Sequence, residues 1–382
     1  MKFYKSYGAC LLMAIQLVGC VEPYDPPLDD DDVNYLVVDG FLNATEHTAT
    51  VRLTRTLPVK SEEAVPFETG AAVRVEDDHG SVYALTEIEP GKYSGDMGQV
   101  STDRQYRLLV HTRDNREYAS DFITIMESPP IDSISYAVED GGIQFFVNTH
   151  DPSGKSKHYR WKYTETFEYH SNFYSAFMFS PQGGIAMRRP EQAINICWKT
   201  NVATEIMVGS TKHLKESVIS RYPISFIPYG SLKLTVKYSL LVQQQALTEQ
   251  AYDYWLNLEK STENLGGLFD PLPSEVTGNI RSMTHPDEKV IGFFSGSTLH
   301  ETRRYLRRNQ LPEELWRLFR NNNYCTLDTI MLADLPTAST GTLLVDAIYS
   351  MGGGIIGYTI SMPHCVDCTT FGGVTAKPPF WE

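Results

Sequence analysis

The 382-residue sequence lacks the motifs by which many enzymes declare themselves in a linear chain. Its ten histidines, from His47 to His364, are scattered, and none forms H-E-x-x-H or another pair at zinc spacing, which excludes the common metalloprotease site. No G-x-S-x-G elbow occurs. Ser295-Gly296-Ser297 lacks the flanking glycine pattern of a hydrolase nucleophile. Gly352-Gly353-Gly354-Ile355-Ile356-Gly357 fits the letters of a dinucleotide fingerprint, but Tyr358 to Ser361 reads as a strand. Phosphate binding requires the free amides of a helix N-terminus after the glycines, so these glycines read as a bulge or a close backbone approach. Carboxylate pairs for glycoside cleavage converge only in space, and no pair can be named from the sequence. The expectation is a protein that is not an enzyme and carries no cofactor or metal.

Positive charge is also scarce. Lys and Arg number 33 against 47 Asp and Glu, for a net charge of -14, and so acidic a surface repels phosphate backbones, which makes nucleic acid a poor partner. Long apolar runs are missing too, so no stretch is expected to cross a bilayer. What stands at the front is an address. Lys2 and Lys5 precede a short apolar run, Gly8 to Ile15, and Leu17-Val18-Gly19-Cys20 has the form of a lipobox. Residues 1–19 therefore read as a signal peptide and Cys20 as the lipidation site, with palmitate among the acyl chains such lipoproteins carry. Each buried methylene adds about 0.8 kcal/mol, so several chains hold where one is marginal. Residues 20–33 form a tether: Pro23, Pro26 and Pro27 stiffen it and Asp29 to Asp32 keep it solvated. The expectation is a domain held outside the bilayer, lipid-anchored by its terminus alone.

Cysteine is sparse, at six. Cys10 leaves with the signal and Cys20 takes lipid, so Cys197, Cys325, Cys365 and Cys368 remain. An even count outside the cytoplasm points to two disulfides, with three connectivities open. The pair Cys365 and Cys368 has redox or zinc spacing, but Pro363 and Gly372-Gly373 frame a loop near the chain end, and no second close pair supplies further zinc ligands. Bridging is the expected role.

Aromatic residues are plentiful at 12% and favour strands, which gives a mainly β fold. Residues 34–128 read as an immunoglobulin-like β-sandwich. Ala49, Val51 and Leu53 alternate with polar residues, as do Tyr106, Leu108 and Val110, and turn signals stand at Asp39-Gly40, Asp77 to Gly80 and Pro90-Gly91. Pro129-Pro130 marks a boundary, and residues 131–382 read as a larger β-rich domain with one or two helices. Its expected strands include 143–147, 159–163, 194–198 and 232–242. A helix is expected over 248–260, with Leu247, Ala251, Tyr254, Trp255 and Leu258 as a core stripe ending before Gly266-Gly267. Arg303, Arg304, Arg307 and Arg308, with Arg317 and Arg320, form a guanidinium cluster suited to an anion or a partner's acidic groups. A salt-bridged helical face is the plainer reading, with a short amphipathic helix after Pro312. Tyr159 and Trp161, with Phe173 and Tyr174, are candidates for stacking on sugar rings.

Tyr238 to Ile280, with YLVVDGFL at Tyr35 to Leu42, YRWKYTE at Tyr159 to Glu165, Cys197-Trp198, VIGFFSGS at Val290 to Ser297 and the ending CVDCTTFGGVTAKPPFW, resembles the Bacteroidetes lipoprotein family known as domain of unknown function 4249. The resemblance covers the whole chain after the signal. It implies a surface or outer-membrane lipoprotein, often encoded beside TonB-dependent receptors. Aspartates soon after the lipidated cysteine also resemble the export signal of such lipoproteins. The functional expectation is an accessory or binding partner of a TonB-dependent outer-membrane transporter, in nutrient capture or complex assembly. The alternative is a cell-surface adhesin or glycan-binding lipoprotein.

Overall fold

The computed structural model describes residues 34–57, 63–180, 183–263, 278–313, 315, 325–335 and 341–381. The signal, Cys20, the tether, Gly266-Gly267, Arg317 and Arg320 lie outside the described residues.

Alternating sequence makes the first unit. Strands β1 (Leu36–Asn43), β2 (Thr48–Arg55), β3 (Ala72–Asp77), β4 (Val82–Glu89), β5 (Lys92–Asp96), β6 (Gln105–His111), β7 (Glu117–Ser120) and β8 (Ile123–Met126) follow one another. In β2, Ala49, Val51 and Leu53 are buried while Thr50, Arg52 and Thr54 face outward, because successive side chains point to opposite faces of a strand. Two strands from far along the chain join this unit, β18 (Ile280–Ser282) and β19 (Val290–Ser297). β19 lies parallel to β1 over its whole length, Leu36 opposite Val290 through Asn43 opposite Ser297. Hydrogen bonding runs β6-β3-β4-β5-β2-β1-β19-β8 and returns to β6, a closed, barrel-like ring of eight strands. The core inside it contains Leu36, Val38, Val51, Val75, Tyr93, Tyr106, Leu108 and Phe294.

Three expectations are corrected here. Asp39-Gly40 is no turn but the middle of β1. A Cβ on Gly40 would stand 2.8 Å from Phe294 Cδ2, so glycine serves the approach of β19. The larger unit does not run unbroken over 131–382, since residues 280–297 return to the first sheet. The strands of 34–128 do not complete their sheet alone; the ring requires β19.

The second unit begins after Pro129-Pro130 with β9 (Ile131–Glu139) and β10 (Gly142–His150), which pair with β16 (Val218–Pro228) in a three-stranded sheet. Beside it lies a five-stranded sheet of β11 (His158–His170), β14 (Ile196–Val202), β15 (Met207–Ser210), β17 (Lys237–Leu247) and β20 (Leu299–Arg307). Phe145, Trp161, Tyr169, Tyr238 and Leu240 fill the core between them. Short strands β12 (Phe177–Phe179) and β13 (Ile185–Met187) form a hairpin, and β21 (Asp328–Met331), β22 (Leu343–Tyr349) and β23 (Ile355–Ser361) a separate sheet. Gly353, at φ 85°, sits in the turn between β22 and β23, so the glycine run serves a hairpin and a strand follows it.

Helix α1 (Glu249–Glu263) matches the expected stripe. Thr248 Oγ1 accepts the Ala251 N–H at 3.2 Å, which satisfies one of the amides a helix start leaves open. Ala251, Tyr254 and Trp255 pack with Phe293 of β19. The consecutive residues Phe293 and Phe294 thus enter two different cores, and β19 joins the units. A second, four-residue α-helix, α2 (Pro363–Val366), lies near the end of the described residues.

Candidate functional site

Where the units meet, the outward face of β1 and β2 looks onto the face of β11 and β17 that is turned away from the second core. The alternation of β11 decides what lies there. Tyr159 and Trp161 point into the core, so Arg160 and Lys162 point out. Across the ladder Gln245 stands opposite Arg160 and Gln243 opposite Lys162. With Phe41, Asn43, Thr48 and Thr50 from the first unit, these residues line a cavity of about 150 Å³.

Arg160 is only 8% exposed, and its guanidinium lies over the Trp255 ring at 3.3 Å from the centroid. Burial pulls its pKa down to about 10, against the attraction of Asp39; a guanidinium still keeps its charge at neutral pH. Lys162 reaches the open side of the cavity. Desolvation and then the charge of Arg160 push its ammonium pKa down, with Asp39 opposing. Neither cation is ion-paired among the described residues. The Gln245 Nε2 amide is buried without a hydrogen-bond acceptor. Gln243 donates to Glu301, and Asn43 Oδ1 accepts the Thr45 and Glu46 N–H groups. The arrangement can hold negative charge.

The four remaining cysteines pair as Cys197–Cys368 and Cys325–Cys365, so the two cysteines of the C-x-x-C pair go to different partners. Cys325, His364 and Cys365 come within 4.8 Å of one another, but the two sulfurs are bonded together and offer no thiolate to a metal.

Other expected sites are dispersed. Tyr159 and Trp161 are both 0% exposed. The Tyr159 hydroxyl donates to Ser156 O at 2.8 Å and Trp161 Nε1 to Gln244 Oε1 at 2.8 Å. Their rings are core, and sugar stacking by these two is corrected accordingly. Tyr174 is exposed. Arg303, Arg304 and Arg307 lie on strand β20, not on a helix, and strand alternation sends neighbours to opposite faces. Arg303 donates to Ser239 Oγ at 2.8 Å and lies over Phe380 at 3.9 Å. Arg307 and Arg308 line a wide hollow of about 460 Å³ with Glu168, His170 and Lys237. The cluster therefore does not converge on one surface.

The cleft was within reach of the sequence in part. A strand was expected over 159–163, and alternation along any strand puts Arg160 and Lys162 on one face. That Gln243 and Gln245 lie opposite them follows only from strand pairing.

A different feature closes the β21–β23 sheet. At one end Met331 lies opposite Gly357, Tyr349 opposite Ile355, and the Leu332 N–H donates to Ile356 O at 3.1 Å. Met331, Leu332, Tyr349, Met351, Ile355 and Ile356 are all exposed there, Met351 completely. Apolar residues gathered in this way mark contact surfaces more often than residues scattered singly.

A family profile described as domain of unknown function (DUF4249) matches residues 21–303. No curated protein matches the chain. Among solved structures, a DUF4785 family protein from Legionella pneumophila is similar at 10% identity and TM-score 0.18, over 55% of this chain and 52% of that one. The chain thus spans about half the length of that relative. A structure described as manganese lipoxygenase of Gaeumannomyces graminis with part of the zonadhesin of Komagataella pastoris matches at 8% identity and TM-score 0.17, over 58% of this chain and 91% of that one. The BSP domain of a biofilm-associated protein matches at 8% identity and TM-score 0.15, over 91% and 80%.

Proposed function

The chain belongs to the family described as domain of unknown function DUF4249, and on that premise we propose that it is a non-enzymatic, lipid-anchored outer-membrane lipoprotein. In this reading it works at the cell surface as a binding partner of a TonB-dependent transporter. The observation that carries the reading is the exposed apolar end of the β21–β23 sheet, from Met331 to Ile356. Tethering supplies the rest: a chain anchored through Cys20 beside a barrel meets it at high effective concentration, so weak apolar contacts suffice. Two disulfides suit an oxidising compartment. The first unit is read as immunoglobulin-like. β4 pairs with β3 over Val82 to Leu85 and with β5 from Thr86, and β8 passes from β6 to β19 in the same manner. Strands that change partner in this way turn the corners of a two-sheet sandwich. The alternative, a glycan-binding adhesin, would need rings other than Tyr159 and Trp161.

Cross-linking on intact cells, followed by purification through the lipoprotein, tests the proposal. A transporter barrel should be recovered with the native chain and be depleted about tenfold with Met351→Asp combined with Tyr349→Asp, a loss of the size apolar anchor residues produce. Recovery of no barrel, or equal recovery with the variant, overturns it. Cys20→Ser should move the protein to the soluble fraction.

A further inference from the structure

We propose that the cleft between β1–β2 and β11–β17 binds a small carboxylate, gripped by Arg160, Lys162 and Gln245. The inference goes beyond transporter docking and does not depend on it.

Three donors face one cavity, and each lacks something. Arg160 is buried to 8% exposure with no carboxylate in ion-pair contact among the described residues, Asp39 attracting it only from farther away. A buried cation without a counter-charge is costly unless something negative reaches it. Lys162 stands two residues along the same strand face, so the two positive charges repel each other across the space an anion would fill. Gln245, 6% exposed, points an unpaired Nε2 amide at the same region, and a buried donor left unsatisfied costs about 1–3 kcal/mol. All this sits in a chain of net charge -14, where Arg160 and Lys162 set two cations side by side on one strand face.

The shape of the donors selects the ligand. Trp255 covers one face of the guanidinium, which leaves its edge to meet the ligand, and that edge is a planar fork matched to a carboxylate. Glu46 lines the same cavity. With Asp39 attracting both cations from beyond ion-pair contact, two carboxylates stand against two cations, so a monoanion is admitted at less cost than a phosphate dianion. Phe41 and Leu299 offer apolar surface for a short carbon chain. A free organic acid and the C-terminal carboxylate of a peptide present the same chemistry.

Titration calorimetry of the purified full-length protein tests this with propionate, N-acetyl-dialanine, the amides of both, and inorganic phosphate. At least one carboxylate should bind, and its amide should not. Binding of propionate assigns the site to free organic acids; binding of the peptide alone assigns it to peptide C-termini. Lys162→Met should weaken the bound carboxylate about tenfold or more and Gln245→Leu several-fold, as removal of charged and neutral donors respectively predicts. Arg160→Met also unstacks Trp255, so its folding is checked by circular dichroism and the conclusion rests on the other two variants. No carboxylate binding up to about 10 mM, binding of the amides equal to the acids, tighter phosphate binding, or unchanged affinity in Lys162→Met would each overturn the proposal.

Discussion

Among single residues, Asp77 shows how backbone amides receive a buried charge in this β-rich chain. It closes the turn after β3. Its Oδ1 accepts the His79 and Ser81 N–H groups at 3.0 and 2.8 Å, and its Oδ2 accepts from Arg104 at 2.7 Å. Burial presses the carboxyl pKa upward, but the hydrogen bonds from Ser81, Arg104 and His79 outweigh it and hold the pKa below its ordinary value. A depressed pKa means that the folded state prefers the ionised form. The stabilisation is therefore present above the unfolded pKa of about 3.9 and is lost as pH falls through the folded value. Asp77→Asn should cost roughly 1–2 kcal/mol at neutral pH, the scale of a charge-assisted hydrogen bond. In urea unfolding, the gap between the two proteins should narrow below about pH 4; a gap that stays constant into stronger acid would refute the assignment. This turn was legible, because Asp77-Asp78-His79-Gly80 is a local signal. Arg160 was not. A sequence shows a base between two aromatics, but not that its carboxylate partner is missing.

At the scale of elements, the two glycine-bearing blocks at Val290 to Ser297 and Tyr35 to Leu42 explain one another. Gly292 has φ 143°, and a Cβ there would stand 2.0 Å from the Val38 carbonyl oxygen. Gly353 also has positive φ, 85°, yet a Cβ there meets nothing within 4 Å. The comparison separates backbone strain from collision. Gly353→Ala should cost about 1–2 kcal/mol, the strain of a left-handed residue with a side chain. Gly292→Ala must in addition displace β1 from β19 and should cost about 4 kcal/mol or more, at the top of the range for single substitutions. Denaturant midpoints measure both, and equal costs would sink the steric account of the parallel pair. Helix α1 was legible from its apolar spacing and its Thr248 start, and β2 and β6 from strict alternation. The β1–β19 pairing was not, because a strand's partner over 250 residues away leaves no periodic trace in either segment.

The whole molecule is held by links between segments far apart in the sequence. The disulfide Cys197–Cys368 ties β14 to the C-terminal segment across 171 residues, a pairing that the cysteine count allowed but could not choose. β19, unlike the disulfide, crosses the expected domain boundary. It covers β1 along eight residue pairs and meets β8 on its other edge, and it places Phe294, 0% exposed, in the first core. Phe293 beside it packs on Tyr254 with ring centroids 5.2 Å apart. A fragment of residues 34–128 would therefore lose the strand that closes its ring. Losing a buried Phe alone costs about 3–5 kcal/mol, against a total stability of about 5–15 kcal/mol for a domain, and the open edges of β1 and β8 would add exposed backbone donors and acceptors. The fragment should show no cooperative thermal transition and little amide protection in β1, whereas the full chain protects β1 and β19 together. If the fragment unfolds cooperatively with β1 protected as in the full chain, then β19 is an ornament on a self-sufficient domain and the units are separable after all.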